Sequence, residues 1–318
     1  MINRNNFMGL DGFVWWFGVV EDRRDPLSLG RCRVRIYGWH SEKKNDIPTD
    51  HLPWAHPVLP VTGNVGSVAS PREGTMVFGF FLDGKDAQFP VVLGIVPSVP
   101  ESRGYSQNGF TDPREDAQLL DSPRVVTART YNEDGTGVVV DNQAVSRFPD
   151  KLGESTVSRL ARNQKIDETF VGVKRNSTVS GVETAGDQTW SEPPTEYAAK
   201  YPFNHVYESE SGHIVEFDDT PGAERVHVSH RTGTFDEIYP DGKKVSKVVK
   251  DKYEIIMSDD NILVMGSYNL TVKGQGSIMV DGDTNITVKG NMTTKVEGDM
   301  NTDVNGIIRF RGSSIFLN

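Results

Sequence analysis

Six copies of Val-x-Gly stand eight residues apart near the C-terminus: Val264-Met-Gly266, Val272-Lys-Gly274, Val280-Asp-Gly282, Val288-Lys-Gly290, Val296-Glu-Gly298 and Val304-Asn-Gly306. A short period held this strictly marks a repeat architecture, which builds its core by stacking units rather than by closing a globule. Two residues ahead of each valine stand Ile262, Leu270, Ile278, Ile286, Thr294 and Thr302. Residues two apart on a strand face the same way, so each octad turns a pair of side chains, mostly β-branched, to one side. Eight is even, so an extended segment returns to the same face in the next unit. The glycine is expected to supply the turn with a left-handed backbone, which it adopts at little steric cost.

An eight-residue unit is too short for a full coil of a single-chain β-helix. A flat antiparallel sheet of such units would expose one apolar face and two edges. Several chains wound together, each giving one wall of a closed prism, would bury the apolar pairs and remove the edges. Three is the smallest number that closes a prism, so the octads predict a homotrimer. Between valine and glycine stand Met265, Lys273, Asp281, Lys289, Glu297 and Asn305, and from 273 to 297 the charge alternates in sign. If these side chains stack, each pair adds at most about 1 kcal/mol. Calcium-binding nonapeptides, hexapeptide β-helices and collagen have periods of nine, six and three and do not fit.

A chain of 318 residues has room for about two domains. The formal net charge of -10 argues against a general nucleic-acid binder. The hydrophobic content of 36% is low for a globule and suits an elongated chain with more surface per residue. Cys32 is the single cysteine, so no intrachain disulfide forms, and its strand-like neighbours mark it as a packed thiol. No signal peptide and no apolar run long enough for a bilayer is visible, which predicts synthesis and folding in a cytoplasm.

Residues 1–12 read as a polar, Asn-rich arm. Residues 13–97 read as a small all-β domain with five short strands. These are Phe13–Val20, the alternating basic run Arg31–Tyr37, Leu52–Leu59 with its prolines, Met76–Leu82 and Pro90–Val96. Asp83-Gly84 marks a turn, and the set predicts a Greek-key barrel of the OB type. Residues 98–200 are polar and read as an extended linker, with extended pieces between Val125 and Val140 and a helical turn or two between Val157 and Ile166. The stretch Gly186–Pro194 reads as open chain. Residues 201–250 return to β and read as a lead-in to the β-helix, with strands at His213–Phe217, Arg225–Ser229 and Thr234–Tyr239. Residues 251–312 are the octad region and 313–318 the tip. The expected class is all-β: an N-terminal OB-type barrel, a polar linker and a C-terminal intertwined trimeric β-helix.

The words Gly30-Arg-Cys-Arg-Val-Arg35, Leu52-Pro-Trp-Ala55, Gly74-Thr-Met-Val77 and Pro90-Val-Val-Leu-Gly94 resemble the OB domain of contractile-tail spike proteins. The stretch Glu210–Arg225 looks like the start of the spike β-helix in the same proteins, continued by His230-Arg-Thr-Gly-Thr234 and Asp241–Val249. The octads are the third match, and three motifs in this order are specific. The chain resembles the central baseplate spike, or cell-puncturing, proteins of myoviruses, an architecture shared with type VI secretion spikes (VgrG). That resemblance implies a homotrimer whose OB domains dock beneath a baseplate hub, whose β-helix meets the host outer envelope, and whose blunt end receives a PAAR-type tip protein. The protein would reside in the virion's tail baseplate. Some family members carry a lysozyme domain between barrel and β-helix. Here that slot is the polar segment 98–200, which shows no Glu-led catalytic motif, so muralytic activity is in doubt.

Other candidate chemistry is thin. A glycosidase needs two carboxylates across a cleft, whereas Asp218-Asp219 and Asp259-Asp260 sit in turn-like contexts and read as solvated turns. His227 and His230, three apart on a strand, face opposite sides and make poor joint metal ligands. Residues Gly312–Asn318 contain no histidine or cysteine to clamp a metal at the tip. Arg31, Arg33 and Arg35 read as a basic strand face, either solvated or facing an acidic hub. No catalytic, cofactor or metal residue is expected. The function expected is a structural, non-enzymatic spike that pierces the host envelope during tail contraction. The alternatives are a spike-associated peptidoglycan hydrolase and a type VI-like spike.

Overall fold

The computed structural model describes residues 13–60, 70–98, 107–113, 155–163, 179–184, 188–209 and 212–315, together with the backbone pairing of 126–131 with 138–145. The N-terminal arm lies outside the described residues. The chain divides into two compact units, Met1–Asn269 and Leu270–Asn318. It is nearly all-β, as the periodicities predict.

Five strands form a closed barrel: β1 Val14–Asp22, β2 Cys32–Ile36, β3 Trp54–Pro57, β4 Met76–Phe81 and β5 Pro90–Ile95, in the order β1-β2-β3-β5-β4. All neighbours are antiparallel except β3 and β5. Closure leaves no sheet edge. Trp16, Val20, Cys32, Val34, Ile36, Ala55, Val77, Phe81 and Val92 fill the interior. Gly79 lies in this wall because a Cβ there would fall 2.0 Å from the Val91 carbonyl oxygen and 2.5 Å from the Trp16 ring. The turn signalled by Asp83-Gly84 is real: Gly84 has φ of 61°, and the buried Asp83 carboxylate accepts from the amides of Gln88 (2.8 Å) and Phe89 (3.2 Å).

Two hairpins follow, β6 Val126–Tyr131 with β7 Val138–Val145, and β8 Val182–Thr184 with β9 Gln188–Trp190. Then comes a five-stranded antiparallel meander: β10 Asn204–Glu208, β11 Ile214–Asp218, β12 Arg225–Ser229, β13 Phe235–Ile238 and β14 Lys244–Lys247. Sequence reasoning found β11, β12 and β13 but not the flanking pair.

Parts of the supposed linker are packed, which corrects the expectation of open chain up to Pro194. Residues 155–163 make one helical turn, Arg162 N–H to the Ser158 carbonyl (3.1 Å), and bury Leu160 against Ile214, Tyr197 and Val206. Residues 191–200 form a second strap. Tyr239 Oη donates to the Pro194 carbonyl (3.0 Å), Lys247 Nζ meets the buried Glu192 (2.8 Å), and the Lys200 amide donates to Thr220 Oγ1 (2.8 Å). Asn163 Nδ2 ties the straps together through the Ala199 carbonyl (2.6 Å).

Candidate functional site

The octad ladder, the lead-in sheet and the outer barrel wall are the three surfaces that set this chain apart. In the octads the backbone bends at every x-Gly pair: 265–266, 273–274, 281–282, 289–290, 297–298 and 305–306. Between bends it belongs to no strand of its own chain, and every residue from Lys250 to Ile315 is exposed. The six valines Val264, Val272, Val280, Val288, Val296 and Val304 keep nearly the same exposure, 45–56%.

Two features of this ladder depart from the sequence reading. The bends begin earlier, at 249–250 and 257–258, where Val248 (45% exposed) and Ile256 (46%) hold the valine position. Lys250 and Ser258 stand where the glycine would be, so a search for Val-x-Gly misses both units; the period of the apolar residue alone would have found them. The glycines also behave differently from expectation. None of Gly266, Gly274, Gly282, Gly290, Gly298 and Gly306 has a left-handed φ, and a Cβ on any of them would meet nothing within 4 Å. Within one chain neither backbone strain nor crowding requires glycine there.

A half-buried sheet usually places apolar residues inward and polar residues outward; the lead-in sheet buries Ile214 and Phe235 but adds a buried polar cluster beside them. Its covered face, beneath the two straps, carries Asn204, Glu216, Asp218, Arg225, His227 and Glu237, all buried. Arg225 Nη1 donates to Glu237 Oε1 (2.9 Å), its Nη2 lies 2.7 Å from Glu216 Oε1, and its guanidinium sits 4.9 Å above the Tyr197 ring. Asn204 Nδ2 donates to Glu216 Oε1 (2.8 Å), and His227 Nδ1 stands 3.3 Å from Glu216 Oε2. Burial alone would raise the Glu216 pKa, but the His227 hydrogen bond, the Arg225 charge and Asn204 outweigh it and hold the carboxyl below its ordinary value. Asp218 is therefore no solvated turn residue: it is buried and accepts from the Thr220 amide (3.0 Å), while Asp219 is exposed. His227 is buried in the cluster, whereas His230 lies against His213 at the other end of the strand, ring centroids 4.5 Å apart. Asp259 and Asp260 are exposed in the ladder.

The barrel corrects the basic-face expectation. Glu21 sits at a bulge in β1, where the register passes from Val20↔Val34 to Asp22↔Arg33. Arg35 meets it there, fully buried: Nε to Oε1 2.6 Å and Nη2 to Oε2 3.1 Å, with the Ser41 and Ile47 carbonyls accepting at 2.6 and 2.7 Å. Thr49 Oγ1 also donates to Glu21 (2.7 Å). Gly109 closes over Arg35, where a Cβ would fall 2.2 Å from Arg35 Cδ. Arg31 is bound by Asp25 (2.6 Å), and Arg33 stacks on Trp54 (4.6 Å) while donating to the Thr49 carbonyl. None of the three presents a basic surface. Burial pushes the Cys32 thiol up to about 12, which makes it a packed, unreactive group. On the outer wall Phe13, Trp15 and Phe17 interleave with Phe78 and Phe80 at centroid distances of 5.1–5.9 Å.

Among the described residues no group of three or more His, Cys, Asp or Glu is placed to hold a metal, and no helix is long and apolar enough to cross a membrane.

Comparison with known proteins places these surfaces in a lineage. A family model described as the Gp5 N-terminal OB domain matches residues 38–145, a span that takes in barrel strands β3, β4 and β5 and the β6–β7 hairpin. Protein Gp5 of Vibrio phage KVP40 is 41% identical over 276 residues, covering 81% of this chain and 63% of that protein. The chain is thus similar, over most of its length, to a phage Gp5 protein. The pre-baseplate central spike protein Gp5 of Enterobacteria phage T4 is 24% identical over 442 aligned positions, covering 79% of this chain and 77% of that protein. The chain thus spans less than two thirds of the KVP40 Gp5 length. The alignment to T4 Gp5 runs over more positions than the chain's 318 residues, so it includes positions of T4 Gp5 with no counterpart here.

Proposed function

We propose that this chain is a homotrimeric, non-enzymatic central spike of a contractile phage tail, which pierces the host outer envelope when the tail contracts. One observation carries the reading. Sixty-odd residues with a strict octad period stay extended and exposed in their own chain, and half-exposed valines recur at one position in every unit. An apolar column of this regularity has no partner within the chain, and other copies of the same column supply one. The octad lattice then satisfies backbone donors and acceptors between chains and buries apolar surface at about 25 cal/mol per Å². A closed prism of this kind resists bending under axial load, which is the mechanical property a spike needs.

The glycines fit the same picture. Neither φ nor the single chain excludes a side chain at Gly290, so the exclusion comes from neighbouring copies. The barrels would dock beneath the baseplate hub, and the aromatic outer wall is the apolar surface available for it. A PAAR-type tip protein would cap the far end. The protein would be made in the host cytoplasm and carried in the virion's tail. It would hold no cofactor, metal or nucleic acid.

The non-enzymatic reading is supported by the described parts of residues 98–200, which include short two-stranded hairpins and the straps at 155–163 and 191–200. A peptidoglycan zymogram tests it: clearing that vanishes when a carboxylate of residues 98–200 is neutralised would assign a hydrolase instead. The solution mass tests the assembly. Three chains of 35.3 kDa make about 106 kDa. A folded 35.3 kDa monomer would remove the physical basis of the piercing function.

A further inference from the structure

The sequence holds two Asn-Gly pairs, Asn108-Gly109 beside the barrel and Asn305-Gly306 in the last Val-x-Gly unit. Both asparagines are exposed, but the backbones around them differ. Gly109 is buried, its amide donates to the Glu42 carbonyl (2.7 Å), and Asn108 lies in a bridge with Lys43. A Cβ on Gly109 would fall 2.2 Å from Arg35 Cδ, and Phe110 after it stacks on Tyr37 at 4.2 Å. Gly306 sits in an exposed bend, and its amide has no hydrogen-bond partner among the described residues. Nothing stands within 4 Å of where its Cβ would be. The other ladder asparagines precede larger residues, as Asn285 precedes Ile286 and Asn301 precedes Thr302.

We propose that Asn305 is a site of spontaneous deamidation, and that the barrel protects Asn108 from the same reaction. The Gly306 amide nitrogen, once deprotonated by solvent base, attacks Asn305 Cγ. The new N–Cγ bond closes a cyclic imide, the Cγ–Nδ2 bond breaks, and Nδ2 leaves as ammonia with protons from water. Water then opens either imide carbonyl, giving aspartate or isoaspartate. Nothing is oxidised or reduced, and water is the only co-reactant. The attack needs a backbone able to swing its nitrogen toward the side chain, and glycine has the widest backbone range and no Cβ in the way. Gly306 has no bond of its own chain to break before it moves. Gly109 must give up the Glu42 carbonyl and leave Arg35, a local opening that costs free energy. The bend at 305–306 separates the extended stretches on which neighbouring copies would pair, so the site stays open in the assembly proposed above. Either product adds a negative charge one octad after Glu297, where the alternation of sign would place a positive one. Isoaspartate also routes the main chain through Cγ, which lengthens it by a methylene and puts Ile307 and the residues after it out of the eight-residue step.

The test is a peptide map of the unmodified full-length chain held warm at mildly alkaline pH. Mass spectrometry follows the change from amide to acid, and chromatography separates aspartate from isoaspartate. Asn305 is expected to convert at least about tenfold faster than Asn108 and Asn285, with both products present. Gly306→Ala should slow conversion at Asn305 and leave the other asparagines as they were, since a methyl group there meets nothing in the chain. Conversion of Asn305 no faster than that of Asn285 overturns the site. Equal conversion of Asn108 overturns the protection by the barrel, and unchanged conversion in Gly306→Ala overturns the ring closure. Light scattering on the same sample reads the mass, so the trimeric reading stands or fails separately.

Discussion

The barrel and the octad ladder solve the same problem in opposite ways. Both are built from short extended segments with apolar residues at fixed spacing. The barrel closes on itself, so Trp16, Val34, Ile36 and Phe81 find partners within ninety residues of chain. The ladder never turns back. Its valines stay half-exposed, and its backbone pairs with no strand of its own chain. The difference lies in what separates the strands. Between the barrel strands lie loops long enough to reverse direction and to supply partners, the Ser41 and Ile47 carbonyls and Thr49, for the buried Glu21 and Arg35. Between the octads lie only two-residue bends, which redirect the chain without returning it. On the proposed reading a segment that does not return takes its partners from other chains, which would make the barrel a folding unit and the ladder an assembly unit.

The sharpest way to break this comparison is Val288→Asp. In a three-chain prism it places three carboxylates at one level of a dry core, at a cost of several kcal/mol. The expected outcome is loss of trimeric mass by light scattering, with the near-ultraviolet signal of the barrel tryptophans retained. An unchanged mass and melting temperature would show that the valines do not face inward.

The reciprocal change is Arg35→Met, which strands the buried Glu21 carboxylate at a cost of about 3–5 kcal/mol. The barrel transition should fall in temperature while the mass stays trimeric. Adding Glu21→Leu should recover much of the loss, because a buried pair replaced by apolar groups of similar volume is nearly neutral. If the single variant melts like the parent, the pair is not holding the barrel.

The lead-in sheet should respond to acid. The Glu216 carboxyl sits below its ordinary value when folded. Its stabilising contribution is therefore complete above the ordinary carboxylate range and is lost as pH falls through the lower folded value. Urea midpoints measured from neutral to acid pH should drop more steeply for the parent than for Glu216→Gln. Parallel curves would place the acid sensitivity elsewhere.

Gly290→Ala gives the smallest effect and the finest distinction. A methyl group there meets nothing within 4 Å in the single chain, and the φ is one that alanine can adopt. Any destabilisation, about 1 kcal/mol per copy, must come from neighbouring copies. It should appear in the melting of the assembled shaft and be absent from a dissociated variant such as Val288→Asp.

Much was legible in the sequence because local rules decide it. The five barrel strands follow from alternation and from turn residues such as Asp83-Gly84. The octad period survives in the bends of the backbone, and the apolar positions Val248 and Ile256 carry it two units further back than the glycines do. The resemblance to contractile-tail spikes agrees with the similarity to Gp5 of phages KVP40 and T4.

What the sequence could not decide is which side of an alternating strand gets covered. In Ile214–Asp218 and Arg225–Ser229 both sides are plausible interiors, one apolar and one able to satisfy its charges internally. Period two says that the sides differ and nothing about which one meets protein. Leu160 and the 191–200 strap, distant in sequence, settle it by closing over Glu216, Arg225 and Glu237 and leaving Phe217 and Val228 outside. The same holds for Arg35. Its alternation with Cys32, Val34 and Ile36 places it outside the barrel wall, and only the bulge at Glu21 and the return of Gly109 bury it. Sequence by itself determined the strands, the period and the lineage, because neighbours along the chain set those. Tertiary structure alone determined which charges are buried and which apolar face is bare, because segments far apart in the chain must meet before either has a value.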